Sequence, residues 1–144
     1  MKKIKSCEVG FTITCLDEEI QRKFEPHSSS TQERFKALKK LNEAGIDTFI
    51  FFGPVLPYFS DTEESISSFM QKALEVKVKF VYIDKMNYTP SIRERVQRFL
   101  RSNFSELLHH YRSIYLENVT YARELREKIK KIAEDYPLKI ELVF

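Results

Sequence analysis

The run from Ile46 to Asp61 constrains the fold more than any other part of the chain. Phe49, Ile50, Phe51 and Phe52 are apolar without a break. A strand covered on one face alternates apolar and polar side chains, so this run predicts a buried parallel strand with layers on both faces. Gly53, Pro54 and Pro57 follow. Proline gives no amide hydrogen to a sheet ladder, so the chain is expected to leave the sheet here as a stiff, largely extended loop. In Asp61-Thr62-Glu63-Glu64 the first carboxylate can accept an N-terminal amide while Glu64 reaches back. That is a capping box opening a helix with Ile66, Phe69, Met70, Ala73 and Leu74. Strand, stiff loop and helix start are how an α/β protein presents a site at the C-terminal ends of its strands.

The remaining segments fit the same alternation. A first strand from about Cys7 to Leu16 places Cys7, Val9, Phe11, Ile13 and Cys15 on an apolar face and Glu8, Gly10, Thr12 and Thr14 on a small, polar one. The apolar face belongs against helices; Thr12 and Thr14 point into whatever the sheet encloses, or are ordinary exposed strand residues. Asp17 can cap a short helix with Ile20 and Phe24, and Ser30 or Thr31 a longer one that ends at Gly45. Val78 to Asp84 reads as a third strand, delivering Asp84, Lys85 and Asn87 to the same rim. Right-handed crossovers make these strands parallel. Three helical patterns follow, Ile92 to Leu100, Phe104 to Leu116 and Val119 to Glu134, and Ile140, Leu142 and Phe144 suit a fourth strand.

At 144 residues the chain makes one ordinary domain, short of the ~250 residues of a complete eight-stranded barrel. Twenty-four basic and 21 acidic side chains leave a formal charge of +3, interspersed enough that no nucleic-acid partner is required. Arg93, Arg95, Arg98 and Arg101 could touch a phosphate backbone, but they flank acids and are content in water. No apolar run approaches the ~20 residues of a membrane span, and the first residues are not followed by a signal-like core, so a cytoplasmic location is expected. Cys7 and Cys15 on one strand would lie ~26 Å apart, too far for a disulfide. No phosphate loop, nucleophile elbow or metal-ligand spacing is present, and His27, His109 and His110 read as surface residues.

At the rim, the sequence resembles a known family. Phe-Thr-Ile-Thr-Cys-Leu-Asp (11 to 17), Glu25-Pro26 with Ser30 and Arg34, Ala44-Gly45-Ile46, Pro54-Val-Leu-Pro57 with Asp61, and Asp84-Lys85-Met86-Asn87 occur in family order. They are similar to the radical S-adenosylmethionine enzymes, in the branch of spore photoproduct lyase and the DNA repair photolyase-like proteins. The similarity covers about Val9 to Asn87, more loosely through Tyr115.

The resemblance implies an α/β fold that is part of a (β/α) barrel, with about four mostly parallel strands and helices outside. It implies S-adenosylmethionine across the C-terminal strand ends, with Thr12 and Thr14 facing the cofactor, Glu25 and Arg34 bracing the site, Pro54 and Pro57 walling the adenine, and Lys85 and Asn87 on the substrate side. It also implies a [4Fe-4S] cluster on a Cys-x-x-x-Cys-x-x-Cys loop, which this chain lacks and which is expected upstream of Met1. The expectation is therefore a C-terminal half that is inactive without a cluster-binding N-terminal half. It would pair with that half, or with itself, through the edge of its first strand. The alternative is a non-catalytic binding or scaffold module that uses the arginine helix on nucleic acid.

Overall fold

The computed structural model describes residues 7–144. Four parallel strands lie in sequence order, β1 (Glu8–Ile13), β2 (Asp47–Val55), β3 (Phe80–Lys85) and β4 (Ile140–Leu142). Between them run α1 (Glu18–Phe24), α2 (Thr31–Glu43), α3 (Glu63–Glu75), α4 (Pro90–Asn103), α5 (Leu108–Leu116) and α6 (Asn118–Ala133). This is the expected α/β partial barrel, with helices on the outer face of the sheet.

Two buried clusters explain the arrangement. In the first, Ile13, Ile50, Phe52, Val81 and Ile83 project from one face of the sheet onto α2, α3 and α6 through Leu38, Phe69, Leu125 and Ile129. Phe52 stacks on Phe69 with ring centroids 3.9 Å apart. The second sits over the C-terminal strand ends. Each of the first three strands sends one residue into it just after leaving the sheet, namely Cys15, Leu56 and Met86, to meet Ile20 of α1, Val96 and Leu100 of α4 and Tyr111 of α5. The post-strand segments are thus held by a core of their own.

Three expectations need correction. β1 ends at Ile13 rather than Leu16, so Cys15 is fully buried but in the second cluster, and Thr14, 2% exposed, is not on an open sheet face. β2 does not stop at Gly53 but continues through Pro54 to Val55. Its pairing with β1 ends at Phe52, so on that side the amide that Pro54 lacks has no ladder bond to make. The helix after the proline loop is capped by Thr62, whose Oγ1 accepts the Ser65 amide at 3.1 Å, and not by Asp61. Asp61 is already engaged: its carboxylate accepts the Tyr58 amide at 2.7 Å and the Tyr121 hydroxyl at 3.0 Å.

The second sheet face also departs from expectation. Phe49 and Phe51 alternate with the buried Ile50 and Phe52, are half-buried, and belong to neither cluster. They pack along the sheet instead. Phe49 stacks on Phe80 with centroids 5.1 Å apart and meets Tyr82 edge-on at 6.0 Å. Among the described residues, the helices cover one face only.

Candidate functional site

The rim at the C-terminal strand ends is built around a carboxylate. Arg34 reaches from the first turn of α2, whose start is fixed by a capping box between Ser30 and Glu33. Its Nη1 donates to the Thr12 carbonyl at 2.7 Å and its Nη2 to Glu25 Oε2 at 2.6 Å. The Thr14 hydroxyl donates to Glu25 Oε1 at 3.0 Å, and the Ser28 hydroxyl and Gln21 amide approach Oε2 at 3.0 and 3.4 Å. One ion pair therefore ties the end of β1, the loop after α1 and the start of α2 together.

This network defines what Glu25 can do. Burial raises the energy of its charged form, but hydrogen bonds from Arg34 and Ser28, the Arg34 charge and the Thr14 hydroxyl outweigh it and hold the carboxyl below its usual range. A carboxylate with both oxygens occupied and a lowered pKa is a brace, not a proton acceptor. Arg34, only 8% exposed, is equally committed.

The other expected site residues divide into groups. Thr12 is exposed on the uncovered face of β1, next to Phe51 of β2 in register. Thr14 is turned inward by its bond to Glu25. Pro54 is half-buried on β2, while Pro57 is buried with its carbonyl accepting the Tyr111 hydroxyl at 2.7 Å. Pro57 is thus tied through its carbonyl to Tyr111, a member of the second cluster. Lys85 closes β3, opposite Val55, and the exposed Asn87 donates to Asp84 at 3.4 Å. Burial raises the Asp84 pKa despite the opposing Lys85 charge. The structure therefore joins Thr12, Thr14, Glu25 and Arg34 in one network, sets Pro54, Lys85 and Asn87 at neighbouring strand ends, and leaves Pro57 apart.

Sequence reasoning missed Gln21 and Ser28, whose side chains complete the Glu25 shell. Gln21 stands four residues before Glu25, the spacing of neighbours on a helix face. It also missed Asp61 as an anchor: besides its two carboxylate bonds, its carbonyl accepts Lys128 of α6 at 2.8 Å, so α6 holds the proline loop in place.

No group of three or more His, Cys, Asp or Glu among the described residues could hold a metal ion. Cys15 is no exception: burial, then the charges of Asp17 and Glu25, push its thiol up to about 12, far from the thiolate that ligates iron. The residues present do not fit an iron–sulfur cluster. Nor is any helix among the described residues long and apolar enough to cross a membrane.

Comparison with known proteins places this geometry. No protein-family model matches the sequence. An uncharacterised protein of Methanocaldococcus jannaschii is 33% identical over 107 residues, covering 73% of this chain and 38% of the relative. One of Mycobacterium tuberculosis is 23% identical over 134 residues, covering 90% of this chain and 39% of the relative. The chain thus spans about two-fifths of the length of the curated relatives it matches. Among solved structures, a doubly substituted spore photoproduct lyase with bound AdoMet and a dinucleoside spore photoproduct aligns at a TM-score of 0.59 and 12% identity. The alignment takes in 95% of this chain and 44% of that one, so this chain shares the fold of a part of spore photoproduct lyase.

Proposed function

We propose that the chain supplies the cofactor and substrate walls of a radical S-adenosylmethionine enzyme of the DNA repair photolyase-like kind, as the C-terminal half of its core. The observation that carries this reading is the uncovered sheet face. Among the described residues, Phe49, Phe51, Phe80 and Tyr82 are half-buried on a face with no second layer, and β1 has a strand partner on one side only. A parallel sheet is ordinarily covered on both faces, and a free edge invites another strand. The coverage of about two-fifths of the relatives and the fold shared with a lyase that holds AdoMet support the same reading.

In this reading Thr12 is the β1 side chain open to S-adenosylmethionine, Glu25, Arg34 and Thr14 hold the β1 end rigid beneath it, and Pro54, Lys85 and Asn87 form the neighbouring wall. Pro57 acts only by fixing the loop. The cluster that reductively cleaves such a cofactor belongs to another half, since no donor set here fits it. The scaffold reading, with nucleic acid along α4, gains nothing from the geometry. Arg93 lies over the Tyr115 ring at 4.5 Å and Arg98 pairs with Glu94 at 3.1 Å, so the arginines do not form one track.

The test is co-expression with the portion of the Methanocaldococcus relative that this chain does not match, followed by anaerobic iron and sulfide reconstitution. The expected result is a stable complex that cleaves S-adenosylmethionine under reduction, with no cleavage by either part alone. Failure to associate, together with no affinity of the chain for S-adenosylmethionine, rejects the reading.

A further inference from the structure

A cleft lies between α1 and α4, outside the Glu25 network. It has a volume of about 530 Å³, within the ~300–1,000 Å³ usual for a small-molecule site. Pro54 and Met86 line it together with Phe24 of α1 and Ile92, Val96 and Phe99 of α4. Ile92, Val96 and Phe99 recur at the spacing of one helix face, so the apolar wall follows from sequence pattern. Its charged side chains are all cationic: Lys23, Arg95 and Arg98 line it, and no carboxylate does.

The cations differ in availability. Lys23 pairs with Glu19 at 2.6 Å and Arg98 with Glu94 at 3.1 Å, whereas Arg95 makes no ion pair among the described residues. Arg95 also lies in the middle of α4, away from the partial negative charge at the helix C-terminus. Among the described residues the cleft therefore offers one guanidinium without an ion pair, two paired cations and an apolar lining.

We propose that this cleft binds a small anionic ligand with an apolar body, its carboxylate or phosphate on Arg95 and its alkyl or aryl portion against Met86 and Phe99. A nucleic-acid strand suits it less. Backbone recognition needs a row of cations, but Arg93 points away to Tyr115. The two phenylalanines of the cleft meet edge to face, at 5.4 Å and 90°, and do not offer the successive ring faces on which bases stack. The cleft shares Pro54 with the wall proposed above, but its cations all come from α1 and α4, so anion binding here is tested without S-adenosylmethionine or a cluster.

The methionine methyl groups give a local readout. Both methionines are buried, but Met86, 1% exposed, lines the cleft, whereas Met70 packs between sheet and helices and lines no part of it. With methyl-labelled methionine, decanoate and decyl phosphate are titrated below their micelle concentrations, with decanol as the uncharged control. The expected result is a saturable shift of the Met86 methyl, an unmoved Met70, and affinity weakened about tenfold or more in Arg95→Glu/Arg98→Glu. The tighter of the two ligands identifies the head group, and equal binding supports an anion as such. An unmoved Met86, decanol binding as tightly as the anions, or an oligothymidylate binding more tightly than both overturns the proposal. Met70 at its original position in the double variant shows that the fold is kept.

Discussion

The two faces of the sheet use the same residue type in opposite ways. On the covered face Phe52 is 1% exposed and stacks across the layer boundary onto Phe69 of α3. On the other face Phe49 and Phe51 lie along the sheet, with the Phe49 ring over Gly10 and the Phe51 ring beside Gly53. A Cβ at Gly10 would collide with the Phe49 ring, and one at Gly53 would come within 2.8 Å of Phe51. Here each ring uses the space that a side chain at the glycine would fill. The difference teaches that burial on the open face comes from the sheet itself, through glycine, whereas on the covered face it comes from another layer. Such a face saves itself from full exposure but leaves its upper surface for something else to cover.

The largest test of this difference is a pair of truncations. Phe52→Ala should cost about 3–5 kcal/mol, because it removes a ring packed on all sides. Phe49→Ala should cost about 1 kcal/mol, since a ring covered from one side only has less to lose. Urea unfolding gives both numbers, with the slope m checking that the unfolded state is unchanged. If the two variants cost the same, and the cost of Phe49→Ala grows with protein concentration, the open face is already covered by another copy in solution. The contrast between the faces would then be lost.

How far the sequence discloses these features depends on where the deciding partner lies. The parallel strands and their helices are legible because each is written in local periodicity, as in Ile66, Phe69, Met70 and Ala73, all buried. The one-sided cover of β2 is not. Four successive apolar residues look alike whether the second face meets a layer or Gly10 on the next strand. Asp61 and Thr62 are adjacent cap candidates for α3, and the Asp61 carboxylate is instead taken by the Tyr58 amide and by the Tyr121 hydroxyl, 60 positions away. The Glu25–Arg34 pair came from family resemblance and not from spacing, since a loop and a helix start separate the two. The cleft is legible only in part: α4 shows an apolar face and a basic one, but nothing local says that Phe24 and Lys23 of α1 come to stand beside them.

The next test concerns the braced end of β1, where the open face meets the rim. Glu25→Gln should destabilise the protein by about 1–3 kcal/mol at neutral pH, because Arg34 loses its charged partner while its buried donors remain. The pH dependence follows from the sign of the shift. The carboxyl lies lower in the folded state than its reference value of 4.5, so its contribution is complete above that value and disappears as the pH falls through the folded pKa. The gap between parent and variant should therefore close on acidification. A gap that persists unchanged below the folded pKa would mean that shape and not charge holds this corner, and that the rim resembles the covered face more than the open one.

The smallest expected effect bears most directly on the open face. Gly10→Ala places a methyl where the Phe49 ring now lies, and the atoms it meets are the far end of that ring. Where the space above the sheet is free, the ring can swing upward, giving up its stacking on Phe80 but meeting no wall. Alanine also has fewer unfolded conformations to lose than glycine, which offsets part of the cost, so the net change should stay within about 1 kcal/mol. The ring movement should appear as a change in the aromatic resonances of Phe80 and Tyr82, while those of Phe69 on the covered face stay unchanged. A cost as large as that of Phe52→Ala would mean that the ring is held down from above. In a complex with a second barrel half, that larger cost is the expected result, because the covering layer removes the space into which Phe49 would turn.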